Sequence, residues 1–214
     1  MAIVNASNDE EPARILKMLP MARRELTRAR NAIENNMRKR GRTMYMTPLE
    51  AKCLAMARKT LQDRKDLLDE AGIDYPLNSS ERKKESLEQR LNDLESFTFH
   101  IEQKNGMSTS WMWTFNADQV MLQIYHDKPE DPGNLKWVLE SMNKSQFLQA
   151  LCDLDLADWN YRFAKNLPGR QHEDSVRWLV GMVFSKGRRK KMIIEGHDSF
   201  PCNFEDLRRL AAVR

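Results

Sequence analysis

The sequence predicts an α+β protein: an N-terminal helical hairpin or bundle, then a small antiparallel sheet (a three-strand meander) packed with helices. Three observations carry that expectation. Apolar residues before position 96 recur at helical spacing, residues 97–124 alternate with a period of two, and helical spacing then returns. The chain has 214 residues, 41% of them hydrophobic, enough to bury a sizeable core. A basic helical module at 1–78 and an α+β domain at 79–214 are expected, with one continuous domain as the alternative.

The elements follow in order. Ile15, Leu19, Ala22, Leu26, Ala29 and Ile33 form one stripe and predict a helix over 12–40. Pro20 either kinks it or divides it, and Arg40-Gly41-Arg42 ends it. Thr47-Pro48-Leu49-Glu50 is a helix start: Thr47 caps, Pro48 suits the first helical position, and Glu50 closes the capping box. That helix runs to about Ala71, with Gly72 as terminator and Leu54, Ala57, Leu61 and Leu68 on its apolar side. Asp74 to Ser80, containing Pro76, reads as a linker. A third helix is expected over Glu81–Ser96, with Leu87, Leu91 and Leu94 in register.

The period then changes. Phe97, Phe99 and Ile101 alternate with polar residues, and Asn105-Gly106 is a hairpin turn pair because both residues accept positive φ. Trp111, Trp113 and Phe115 alternate next. After Asn116-Ala117-Asp118 come Val120, Leu122 and Ile124. All these apolar residues are expected on one buried face. Asp131-Pro132 opens another helix carrying Leu135, Val138, Leu139 and Met142. Ser145 caps one with Phe147, Leu148 and Leu151, and Asp155 one with Leu156, Trp159 and Phe163. Residues 174–195 fit a helix followed by a strand, or a hairpin turning at Ser185-Lys186-Gly187, and the former is preferred. Asn203 caps a last helix with Phe204, Leu207 and Leu210.

Composition excludes several classes. The longest apolar run, Trp178 to Phe184, is far shorter than the about 20 residues that span a bilayer. The opening residues lack the apolar core of a secretory signal. Cys53, Cys152 and Cys202 are odd in number and widely spaced, so neither a disulfide framework nor a zinc knuckle is indicated. A reducing compartment, cytoplasmic or nuclear, is expected, with no membrane partner. No cofactor and no metal are expected.

Charge is the most informative property. The pI is near 9.0 although the net charge is only +4. The bases are unevenly placed. Residues 12–45 hold ten of them (Arg14, Lys17, Arg23, Arg24, Arg28, Arg30, Arg38, Lys39, Arg40 and Arg42) against Glu25 and Glu34. A second run, Lys186, Arg188, Arg189, Lys190 and Lys191, puts five bases in six residues. Both suit a nucleic-acid backbone, because such surfaces neutralise phosphates and release counterions. The second also fits a nuclear-import signal. The plainer readings are a solvated helix face and a charged hairpin loop. The sequence therefore points to a non-enzymatic RNA- or DNA-binding protein that holds the backbone. The alternative is a helical protein-interaction or regulatory module. The narrow, alanine-rich stripe of the first helix also suits a homodimer.

Catalysis finds little support. There is no Walker loop, no G-x-G-x-x-G, no G-x-S-x-G and no H-E-x-x-H. Glu102-Gln103-Lys104 with His126, Asp127 and Glu130 resembles the carboxylate and histidine set of a metal-dependent nuclease, and His197-Asp198 with Cys202 is a weaker possibility. Trp111 and Trp113 could stack bases on an open sheet, but their uniformly apolar neighbours favour a core.

Overall fold

The computed structural model describes residues 10–40, 43–103, 106–116, 119–127, 140–164 and 175–212. The chain divides into two compact units, 1–78 and 79–214.

The first unit is built on two paired helices, α1 (Glu10–Lys39) and α2 (Pro48–Glu70). Pro20 lies within α1, which continues past it as one helix. The proline is exposed, so solvent can take the carbonyl freed by its missing N–H. Leu19, Ala22, Ile33 and Met37 are buried, as are Leu54 and Leu68 of α2. The alanine-rich stripe thus lies on the helix's buried side rather than on a free face. The predicted capping box is formed: Glu50 N donates to Thr47 Oγ1 at 3.2 Å, and Thr47 N donates to Glu50 Oε2 at 2.8 Å. Arg40 closes the hairpin with an ion pair to Glu50 at 2.7 Å. At the far end Gly72 takes φ 65, and Ile73 N donates to Leu68 O at 2.9 Å.

The second unit begins with α3 (Ser79–Leu91), shorter than expected because Leu94 opens a strand. The strands are β1 (Leu94–Gln103), β2 (Ser108–Asn116), β3 (Gln119–Asp127), β4 (Glu140–Asn143), β5 (Arg162–Ala164), β6 (Val176–Phe184) and β7 (Lys191–His197). They form one seven-stranded sheet in the order β4-β3-β2-β1-β6-β7-β5, antiparallel except where β5 runs parallel to β7. The expected three-strand meander is present as β1–β3, but it is part of a larger sheet.

Pairing explains the extension. Residues 176–184 carry an apolar pattern that fits both periods. Their pairing with β1, Phe97 opposite Met182 and Phe99 opposite Val180, makes them a strand, so the hairpin is correct and the preferred helix-then-strand reading is not. Gly187, at φ 95, lies in the turn.

Register places every apolar residue of the predicted meander on one face. Phe97, Phe99, Trp113, Val120 and Leu122 are buried, while Ile101, Trp111, Phe115 and Ile124 are half-buried. On that face pack α4 (Lys144–Asp153), through Phe147 against Trp113, and α5 (Phe204–Ala211), through Phe204 against Phe99 and Trp178.

Three local expectations need correcting. Asn143, not Ser145, caps α4, its carboxamide oxygen accepting from Ser145 N at 2.8 Å. The helix expected after Asp155 is only one 3-10 turn, Leu156–Asp158, followed by β5. The helix expected from Asp131 falls on 128–139, outside the described residues, and its end at Met142 is strand β4. Asn105, Ala117 and Asp118 of the expected turns also lie outside them.

Two predictions follow from this packing. Trp113 is fully buried, its ring 5.4 Å from those of Phe97 and Phe147, yet its indole nitrogen has no hydrogen-bond partner among the described residues. Trp113→Ala should cost about 3–5 kcal/mol in denaturant unfolding. Trp113→Phe should recover most of that, because it also removes the orphaned donor. Undiminished stability of Trp113→Ala would place the ring outside the core. The second prediction concerns Glu50, whose carboxyl is held down to about 2 by the Arg40 hydrogen bond, against burial, with help from Thr47 and Asn36. Its unfolded value is near 4.5, so its contribution is present above that pH and is lost as pH falls from about 4.5 to 2. The Glu50→Gln protein should therefore lose less stability than wild type when unfolding is followed by circular dichroism across that window.

Candidate nucleic-acid interface

Helical geometry sorts the N-terminal bases into two groups. Arg14, Lys17, Arg24, Arg28 and Arg38 recur at heptad-like spacing with Met21, Asn31 and Asn35 between them, so they share one stripe without an acidic member. All five are exposed, as is the neighbouring Lys39. At 1.5 Å per residue, Arg14 to Lys39 covers about 37 Å.

Three other bases of this segment are engaged within the unit. Arg23 is half-buried and donates to Pro76 O at 2.9 Å. Arg30 is half-buried and engaged. Arg40 donates to both oxygens of Glu50 and to Tyr45 O. These three act first in the hairpin's own structure. Arg42 lies outside the described residues.

The second basic run is the β6–β7 turn, closed by Phe184 N donating to Lys190 O at 2.8 Å. Lys186, Arg188, Arg189, Lys190 and Lys191 are all exposed. Lys186 pairs with Asp93 at 3.2 Å, which leaves Arg188, Arg189 and Lys190 in the turn and Lys191 at the start of β7.

Alternation separates the nuclease-like set. Glu102 lies on the sheet face opposite the aromatic core, whereas His126 pairs across with Thr109 on the core side, its Nδ1 3.1 Å from the Thr109 hydroxyl. The two cannot share a cation. Among the described residues no three His, Cys, Asp or Glu side chains form a group that could hold one. Glu130 and Lys104 lie outside those residues.

The His197-Asp198 pair has a different partner from the one expected. Ser175 Oγ lies 2.7 Å from His197 Nε2, and Asp198 Oδ2 lies 3.7 Å from the same nitrogen. A relay needs the carboxylate on the other ring nitrogen, to orient the base. Asp198 instead accepts from Val176 N at 2.8 Å and pins the start of β6. Cys202 is buried, and burial pushes the Cys152 thiol up, so neither has the character of a nucleophile.

No protein-family model matches the chain, and no curated protein or solved structure matches it. Its chemistry has to be read from its side chains.

Among its described residues the second unit has at least two cavities. One, of about 380 Å³, opens on the non-aromatic sheet face among His100, Glu102, Arg162, Arg177, Glu195 and His197. Arg162 is paired with Glu195 at 2.8 Å, and Arg177 sits in register between Glu102 and His197. Its charges are nearly balanced, which disfavours a polyanion. The other, of about 420 Å³, lies along α3 and is lined there by Ser79, Arg82, Lys83, Ser86, Leu87 and Arg90. The opposite wall is Ala157, Trp159, Asn160, Tyr161 and Met192, so no lining residue is acidic. Sequence reading passed over these bases. The signal was present in Arg82-Lys83-Lys84 with Arg90, but three acids in the same helix, Glu81, Glu85 and Glu88, mask it in any count of charge.

Proposed function

We propose that the chain binds nucleic acid without catalysing a reaction, holding the phosphate backbone with the exposed basic stripe of α1. The observation that carries this reading is the row Arg14, Lys17, Arg24, Arg28, Arg38 and Lys39: exposed, with no acid in the row itself, and without a side-chain ion pair or hydrogen bond among the described residues. Cations spread along about 37 Å of a rigid rod match a linear polyanion better than a compact ligand. The tip of the β6–β7 turn supplies a second contact of the same kind. Contacts of this sort position a protein on RNA or DNA without reading its sequence.

Affinity for duplex should fall with salt, with a slope of log K against log[salt] of about −0.9 per phosphate neutralised. The Arg24→Ala, Arg28→Ala protein should show a slope flatter by up to about two units and should weaken equally on unrelated sequences, with folding unchanged. A wild-type chain that shifts neither RNA nor DNA at low salt would end this reading.

A second reading concerns self-association. On α2, Leu49, Cys53, Met56 and Leu67 fall on one exposed row, with Leu49 71% and Met56 60% exposed. Such a face favours a homodimer through the N-terminal helices, now by the outer side of α2. Light scattering should then give twice the chain mass, and Met56→Glu should return it to the monomer.

A further inference from the structure

We propose that the cavity along α3 is a nucleotide-binding groove, in which Arg82, Lys83 and Arg90 take a phosphate and Tyr161 stacks the base. This site is in the second unit and stands independently of α1.

Three features point to that ligand class. The first is the arrangement of charge. Arg82, Ser86 and Arg90 succeed one another at i, i+4 and i+8 along α3, so one wall presents guanidinium, hydroxyl and guanidinium, with Lys83 beside them. The helix's acids lie elsewhere. Glu88 sits within 4.0 Å of Lys84, on the side where Lys84 also meets Asp155. Arg90 is fixed for its role. Its guanidinium carbon stacks 4.0 Å over the Phe184 ring, and Nη2 donates to Arg189 O, which uses one of its five donors.

The second feature is an aromatic side chain left out in solvent. Tyr161 is 59% exposed, but its backbone is held, because its carbonyl accepts from Glu195 N at 3.1 Å. A phenol presented on a fixed backbone beside cations provides a stacking surface for any base. Asn160 next to it offers both a donor and an acceptor for a base edge.

The third feature is size and floor. Leu87, Trp159 and Met192 form an apolar bottom under a cationic rim. About 420 Å³ is within the range of small-ligand sites and suits one nucleotide. A free mononucleotide and one residue of a single strand offer the same chemistry here.

The test uses the full chain, following tryptophan fluorescence (Trp159 lies in the floor) and calorimetry. The probes are AMP, ribose 5-phosphate, adenosine and a ten-nucleotide single strand. AMP should bind more tightly than ribose 5-phosphate or adenosine. Arg82→Ala with Lys83→Ala should weaken AMP at least about tenfold, the loss of one to two charge-assisted contacts. Tyr161→Ala should weaken AMP roughly 5- to 150-fold, the range of one base–aromatic stack, and leave ribose 5-phosphate unchanged. Tyr161→Phe should retain AMP binding, because the ring remains. All three side chains are exposed, so these proteins should fold as wild type. AMP binding no tighter than ribose 5-phosphate, or unaffected by the Arg82 and Lys83 changes, overturns the proposal. The single strand binding more tightly than AMP assigns the source as a strand, and the reverse assigns a free nucleotide. The Arg24→Ala, Arg28→Ala protein should keep full AMP affinity, so failure of the α1 reading leaves this result unaffected.

Discussion

The second unit depends on how much converges on the indole of Trp178. Its ring meets Trp159 at 5.9 Å, Phe163 at 5.6 Å and Phe204 at 5.0 Å, and Phe200 stacks on it at 6.5 Å. Its Nε1 donates to Ser199 O at 2.9 Å, so the buried polar edge is satisfied. One side chain thereby joins β6 to the segment before β5, to β5 itself, to the stretch after β7 and to α5. The neighbouring strand yields to it. A Cβ at Gly196 would lie 2.3 Å from the Trp178 ring, so only glycine fits opposite it in register. The α3 groove inherits this order, because its floor residue Trp159 is held by Trp178 on one side and by Asn203 on the other.

Local signals in the sequence were legible where the partner of each side chain is also local. The Thr47–Glu50 box, the alternation through β1–β3 and the stripe of α1 all concern neighbours a few residues apart. The failures have distant partners. Asp155 reads as a helix cap, but its carboxylate accepts from Lys84 at 2.7 Å and its backbone sits at φ 48, so the helix it would start does not form. Asn203 does stand at the cap of α5, yet its side chain bonds Trp159 and the Leu154 carbonyl instead of the helix. Residues 176–184 had two self-consistent patterns, and only the edge offered by β1 decides between them. The candidate interface shows the same division. Arg24 and Arg28 are exposed as their spacing implied, whereas Arg23 and Arg40 are used by Pro76 and Glu50, which no count of charge reveals.

The contact that sets α3 in place also determines which of its bases are free. Burial alone would lower the Lys84 ammonium, but the Asp155 hydrogen bond and charge, with Glu88 and Asp158, outweigh it and hold the group above its ordinary value. A cation raised in this way contributes fully below about 10.4, so the pair is intact at neutral pH. Ser80 adds a bond to Asp158. With Lys84 and Ser80 committed to the turn at 155–158, helical geometry fixes where the rest of α3 points. Leu87 and Leu91 go inward, and Arg82, Lys83, Ser86 and Arg90 line the cavity. The acids of the 3-10 turn and the bases of α3 are therefore not a diffuse mixture. One lysine pairs with Asp155 of the turn and anchors the helix, and the bases beside it remain available to an anion. A sum over the segment gives a charge near zero and conceals that separation, which appears only once the helix has a partner.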